Sequence, residues 1–186
     1  MHYDQLIQNW PDFSQRITTF IQRLGLDSLQ LECDHCALRV NSHQAATQLS
    51  QEFEQHGQVI SNNMINGRPI LIIKLNKPLS LEGLDVNCVE LPYPSDKVYP
   101  QEGWEHVELV FPSPALTCEQ LIADLVSVVP DISDIINDNV TDIKVKQSSP
   151  KGDNERLANP TIAFKSNGIC VKVHPQSIEA IIASES

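Results

Sequence analysis

The second half of this chain repeats the first. His35-Cys36-Ala37-Leu38-Arg39-Val40 aligns with His106-Val107-Glu108-Leu109-Val110-Phe111. Asn87-Cys88-Val89-Glu90-Leu91-Pro92 lies beside Ile169-Cys170-Val171-Lys172-Val173-His174-Pro175. A repeat of this kind predicts two like supersecondary units sharing one core, because neither unit buries its apolar face alone.

The patterns between those strings recur in the same order. Residues 1–32 form a helical extension whose Ile17, Phe20, Ile21 and Leu24 make one stripe, with Asp12 as N-cap and Gly25 as stop. A further short helical stretch, Tyr3 to Asn9, precedes Pro11. The first unit, residues 33–94, reads as a strand from Cys33 to Val40 and a helix carrying Ala46, Leu49 and Phe53. A strand from Val59, an Asn66-Gly67 hairpin turn, and strands Pro69–Leu75 and Val86–Leu91 follow. Residues 95–103 are a joint, broken by prolines on either side of its start. The second unit, residues 104–176, reads as a strand Trp104–Phe111 and a helix opened by a Thr117/Gln120 capping box. An acidic insertion and strands Val140–Val145, Asn159–Phe164 and Ile169–His174 complete it. Ser177 caps a final helix within residues 177–186. The fold class is therefore α+β: paired βαβββ modules curving into a half-open barrel, flanked by an N-terminal helix and a short C-terminal one.

Charge narrows the partners. Thirteen Lys and Arg stand against 24 Asp and Glu, a formal net of −11. Such a chain repels nucleic acid and anionic membrane, so neither is an expected partner. No apolar run is long enough to span a bilayer, and the polar start lacks a signal-peptide core. A cytoplasmic protein, monomeric or homodimeric, acting on a small molecule is the expectation. The five cysteines, an odd number at low density, do not form a disulfide framework. Cys33-x-x-Cys36 falls in a strand, where residues three apart point to opposite faces, so buried reduced thiols are expected there.

Strand alternation picks out the chemistry. His35, Ala37 and Arg39 share one face, opposite the apolar Cys36, Leu38 and Val40. His106 and Glu108 share the equivalent face of the second unit, and Glu90 and Lys172 occupy equivalent closing strands. If the units pair about a pseudo-two-fold axis, His35 and His106 converge with Glu90. Two imidazoles and a carboxylate make a facial set with open positions, suited to a divalent Fe, Mn, Ni or Zn ion. A lone strand histidine is more often a satisfied polar group than a ligand; two at equivalent repeat positions with a carboxylate shift that balance. Glu108 is a further ligand, base or partner to Arg39, and His174 orients a ligand or closes the barrel end. Arg68, Lys151 and Arg156 lie on turns where they can gather at the mouth and receive an anionic substrate.

At these residues the chain resembles the vicinal oxygen chelate superfamily, which includes glyoxalase I, extradiol dioxygenases, methylmalonyl-CoA epimerase and bleomycin-resistance proteins. It resembles the bacterial YecM family more closely and across nearly its whole length. The strings that carry this are Asn63-Met64-Ile65-Asn66-Gly67-Arg68-Pro69-Ile70, Val89-Glu90-Leu91-Pro92, Glu102-Gly103-Trp104-Glu105-His106, Ser148-Ser149-Pro150-Lys151-Gly152, Glu155-Arg156-Leu157, and His174-Pro175 with Ser177-Ile178-Glu179. The resemblance implies metal ligands at His35, Glu90 and His106, with the fourth falling on Lys172. A protonated lysine cannot ligate a cation. Three protein ligands suffice, or His174 or Glu108 substitutes, or no metal binds and Lys172 pairs with Glu90. The implied function is a metal-dependent isomerase, epimerase, lyase or dioxygenase acting on a small oxygenated, anionic molecule, with Glu108 or Lys172 moving the proton and Arg39, Arg68, Lys151, Arg156 and His174 holding substrate. The alternative is a non-catalytic binding protein using the same concave surface.

Overall fold

The computed structural model describes residues 1–150 and 156–185. In chain order the elements are α1 (Tyr3–Arg23), β1 (Glu32–Arg39), α2 (His43–Phe53), β2 (Gly57–Ile65), β3 (Arg68–Leu81), β4 (Leu84–Pro92), β5 (Gly103–Val110), α3 (Cys118–Val128), α4 (Ile132–Ile136), β6 (Lys144–Ser148), β7 (Thr161–Ser166), β8 (Ile169–His174) and α5 (Ile178–Ala183). The strands form one eight-stranded sheet in the order β2-β3-β4-β1-β5-β8-β7-β6. Outward from the antiparallel β1–β5 seam, the two sides read alike. Each has a parallel neighbour, β4 or β8, and then two antiparallel strands. This is the mixed α+β architecture of paired βαβββ units curving into a half-open barrel.

One face of the sheet carries the main core. Leu38, Val89, Leu91, Val107, Leu109, Val171 and Val173 point there and meet Leu49 and Phe53 of α2, Leu121 and Leu125 of α3, and the buried stripe of α1. Ser42 and Thr117 cap α2 and α3, each hydroxyl accepting the N–H three residues on, from Ala45 and Gln120. The Asn66-Gly67 hairpin adopts positive φ at both residues, 52° and 77°, the conformation that a two-residue turn between twisted strands requires.

The other, concave face is treated differently on its two sides. Over the first unit, Ile178 and Ile182 of α5 pack on Ile70, Ile72 and Cys88. Lys74 to Glu179 ties the same helix down, and Asn63 to Glu185 ties the residues just after it. Over the second unit no described residue covers the concave face, which forms a cleft.

Local expectations differ from the structure in three places. Helix α1 starts at Tyr3 and runs through Pro11 without a break at Asp12. Pro11 removes the donor to Ile7 and strains the turn, at a cost of about 3 kcal/mol. The buried stripe Leu6, Trp10, Phe13, Ile17 and Phe20 outweighs it at roughly 1.5–3 kcal/mol per side chain. Trp10 Nε1 also donates to Ser80 O at 2.7 Å, and Trp104 Nε1 to Leu6 O at 2.8 Å. Strand β3 continues past Leu75, through an irregularity that spans Pro78, to pair Leu79 with Val86. Strand β6 begins at Lys144, because Val140–Ile143 closes the preceding segment as a turn. Lys151 lies outside the described residues.

Restoring the missing donor tests the balance in α1. Pro11 is exposed, so Pro11→Ala is expected to stabilise the protein by about 1–3 kcal/mol. Urea unfolding is the measurement: a raised midpoint at unchanged slope is expected, whereas a lowered midpoint would mean that the proline shapes a needed bend.

Candidate metal centre

The site is built by two irregularities in the seam. Cys33 pairs with Leu109 and His35 with Glu108, so Asp34 is an extra residue in β1. Ala37 pairs with His106 and Leu38 with Trp104, so Glu105 is an extra residue in β5. These are β-bulges at equivalent positions of the repeat. A bulge lets two successive side chains face the same way. Asp34 and His35 therefore both turn to the concave face, as do Glu105 and His106. The same bulge corrects the expectation for Cys33 and Cys36, which both lie in the main core rather than on opposite faces. Burial pushes their thiols, and those of Cys88 and Cys170, far up, to about 12 for the latter two, and all five cysteines are free.

Each histidine is fixed by the carboxylate beside it. His35 Nδ1 lies 3.0 Å from Asp34 Oδ2, and His106 Nδ1 contacts Glu105 Oε2. A carboxylate only accepts, so each Nδ1 carries the proton. In a neutral ring Nε2 is then a bare lone pair. Both Nε2 atoms are buried and without a hydrogen-bond partner. They face carboxylates: His35 Nε2 is 3.5 Å from Glu108 Oε1 and 3.7 Å from Glu90 Oε2, and His106 Nε2 is 3.3 Å from Glu108 Oε1. His35, Glu90, His106 and Glu108 each offer one atom, all within 4.8 Å of one another. Two preset imidazole lone pairs and two carboxylates are a donor set that can hold a divalent ion, and carboxylates behind the histidines are the usual support of such ligands.

Lys172 does not pair with Glu90. Its Nζ lies 3.1 Å from Glu108 Oε1. Arg39 bridges Glu105 at 3.1 Å and Glu90 at 3.8 Å. His174 is fully buried behind the cluster, 3.3 Å from Asp34 Oδ2, 3.3 Å from Asn159 Oδ1 and 3.5 Å from Glu108 Oε2. It borders the carboxylates and does not line the cleft. Burial opposes charge throughout this cluster, but its neighbours win. Glu108 is held well below the usual carboxylate range by Lys172, His35 and His106. Glu90 is lowered by His106, Lys172 and His35. His35 is raised well above its ordinary value by Glu108 and Asp34, and Lys172 is raised by Glu108 and Glu90.

The open cleft beside the cluster has a volume of about 790 Å³. Arg39, Lys172, Glu105 and Cys170 line its floor, and Arg68 reaches it from the β2–β3 hairpin. Arg156 is instead exposed near the end of α5, with its N–H donating to Ser184 Oγ. Asp34 and Glu105 escaped the sequence reading because regular alternation assigns them to the other face. The available signal was an acidic residue directly before the histidine in both repeats.

Known proteins give the context. A family model described as "YecM protein" matches residues 2–185. The chain is 42% identical over 179 residues to Protein YecM of Escherichia coli (strain K12), covering 94% of this chain and 89% of that one. It is 37% identical over 172 residues to an uncharacterized protein of Haemophilus influenzae, covering 90% and 86%. A solved structure described as "Structural Genomics, Protein EC4020" superposes with a TM-score of 0.83 at 37% identity, covering 98% of this chain and 92% of that one.

The buried carboxylate of Asp34 makes a pH prediction. Burial alone would raise its pKa, but His174 and His35 hold it at about 2, and it also accepts the Ile178 N–H at 2.8 Å. A depressed acid stabilises the fold above its unfolded pKa and loses that contribution as pH falls through the folded value. The wild type is expected to lose roughly 2 kcal/mol between about pH 4 and pH 2 from this group. Asp34→Asn should be less stable by a similar amount at pH 7 and flatter across the acid limb. Thermal unfolding at stepped pH is the check, and parallel curves for the two proteins would refute the assignment.

Proposed function

The chain belongs to the YecM family, and from that premise we propose that it is a metal-dependent enzyme of the vicinal oxygen chelate type. Its substrate is a small anionic molecule bearing two adjacent oxygens, and its reaction an isomerisation, epimerisation, elimination or ring opening. The single observation that carries this reading is the pair of buried, unpartnered Nε2 atoms, each preset by a carboxylate on its own Nδ1.

His35, His106 and Glu90 are the proposed ligands, and Glu108 completes the set in place of Lys172. A divalent ion held there would supply Lewis-acid charge to the chelated substrate oxygens. The fixed charges of the cluster fit such an ion. Once His35 has given up its extra proton, Asp34, Glu90, Glu105 and Glu108 are opposed, among the described residues of the cluster, by Arg39 and Lys172, which leaves two negative charges in a buried space. Glu108 stays ionised, which suits a ligand better than a general base. Lys172 keeps its proton and opens onto the cleft. It can therefore donate a hydrogen bond to negative charge developing on a substrate oxygen. Arg39, pinned between Glu90 and Glu105 and stacked 5.3 Å from the Tyr99 ring centroid, holds the floor in place.

Metal analysis of protein purified without added metal tests this. About one equivalent of Fe, Mn, Ni or Zn is expected, lost in His35→Ala and in His106→Ala and kept in the surface control His43→Ala. Glu105→Gln should weaken the ion by about 10–100-fold while the fold survives. Because Glu108 and Asp34 favour the protonated form of His35 in the ion-free protein, binding should release protons, and affinity should fall as pH drops. Titration calorimetry in buffers of different ionisation enthalpy reads that release. No bound metal from pH 6 to pH 9, with melting temperatures unchanged by added ions, would sink the enzyme in favour of the non-catalytic binding protein. A thermal-shift screen of dicarbonyls, catechols and hydroxy acids then narrows the substrate, since a ligand of the native state raises the melting temperature.

A further inference from the structure

The cleft wall beyond the metal cluster is basic to a degree that the rest of the chain is not. Besides Arg39 and Lys172 on the floor, the described residues that line it include Arg68, Lys97, Lys144, Lys146 and Lys165, against one described carboxylate, Glu105. These are seven of the 13 cations in a chain of net charge −11. Among the described residues, none of the five wall cations has a carboxylate partner within ion-pair distance. The sheet register sets two of them directly against each other, since Lys144 pairs with Lys165 across β6 and β7. Like charges in that position destabilise a sheet. Inward-facing lysines on an edge strand guard against sheet-to-sheet pairing. That accounts for Lys144 and Lys146 on β6, but not for Lys165 on the inner strand β7, nor for Arg68 and Lys97 on the facing wall.

We propose that this wall is the seat of an oligophosphate tail on the substrate. The inference names the substrate class of the same site, and it rests on the metal reading only for the chelated end. Register gives the spacing. Lys144, Lys165, Cys170 and His106 are successive cross-strand neighbours. Adjacent strands lie about 4.8 Å apart, so the lysine pair stands roughly 10–14 Å from the imidazole at the cluster. A di- or triphosphate joined through a few atoms to two vicinal oxygens spans that distance, and one carboxylate on a compact hydroxy acid does not. Compact lysine charges, free to turn toward several oxygens, match a phosphate chain. Nucleic acid is disfavoured because the chain as a whole repels a long polyanion, and a cleft of about 790 Å³ has the size of a small-molecule pocket.

Inorganic tripolyphosphate is the probe. Titration calorimetry is run with chelator-treated protein at fixed ionic strength. Binding at least about tenfold tighter than orthophosphate or sulfate is expected, with an affinity that falls as salt rises. The double variant Lys144→Gln/Lys165→Gln should lose at least about tenfold of it. The same variant without ligand should melt about 1–2 °C higher, because the facing charges are relieved. Lys146→Gln, an exposed single change, should weaken tripolyphosphate to a smaller extent and guards against a misfolded double variant. His106→Ala should bind tripolyphosphate as the wild type does, so loss of metal binding and loss of the tail site are read separately. Equal affinity for orthophosphate, sulfate and tripolyphosphate, no heat with any of them, or tighter binding of a single-stranded oligonucleotide would each overturn the proposal.

Discussion

The candidate site depends on one backbone device used twice. A regular strand alternates its side chains, so a histidine and the residue before it would sit on opposite faces of the sheet. The extra residue at Asp34 and at Glu105 breaks that rule at the same place in each repeat. It puts a carboxylate behind each imidazole, and the carboxylate decides which ring nitrogen keeps the proton. Without the bulges, Asp34 and Glu105 would be acids driven into the apolar core. With them, two histidine lone pairs from antiparallel neighbours are preset toward common ground. The geometry of the candidate site thus follows from the pairing of β1 with β5, the seam that also joins the two halves.

That seam holds an unusual concentration of charge. Arg39, His35, His106, Glu108 and His174 are all buried. Taking such groups out of water is costly unless each is paired, and removing one partner leaves the other unanswered. The cluster is accordingly a network rather than a set of pairs. Glu108 alone meets Lys172 and three imidazoles, and Asp34 meets two imidazoles and the first N–H of α5. The last contact couples the site to architecture. The helix that fills half of the concave face is anchored on the carboxylate that orients a proposed ligand.

Much of this was legible in the sequence. The repeat gave the order of elements, the axis between the halves, and the convergence of residues 35, 90 and 106, because strand period and equivalent position are properties of the string itself. Glu108 and Lys172 were on the right face for the same reason. What escaped was whatever depends on an irregularity or on a partner distant in sequence. The bulges leave no mark on strand alternation, which holds only for an unbroken strand. Pro11 read as a helix boundary because its local cost is evident, whereas the burial of Leu6 and Trp10 that overrides it depends on Ser80 and Trp104. Nothing in the string sets the wall cations Lys97, Lys144, Lys146 and Lys165 apart from ordinary solvated charges. The fold places Lys97 of the joint at the same cleft as the lysines of β6 and β7.

The departures from two-fold symmetry are as informative as the symmetry. His35 has its counterpart in His106, and Cys88 in Cys170. Ala37, however, answers to Glu108, and Glu90 to Lys172. A strictly duplicated site would carry either a carboxylate or a lysine at both closing strands, and two facing cations or two further acids would leave the buried charge unbalanced. Placing Glu90 on one side and Lys172 on the other, with Glu108 added beside the lysine, keeps two carboxylates in reach of both imidazoles while Lys172 offsets one of them. The concave faces diverge in the same sense. The Glu90 half is sealed by the apolar side of α5, and the Lys172 half is left open and lined with cations. The repeated pattern therefore supplies the frame, and its asymmetry gives that frame one side covered by α5 and one side that, among the described residues, forms a cleft lined with cations.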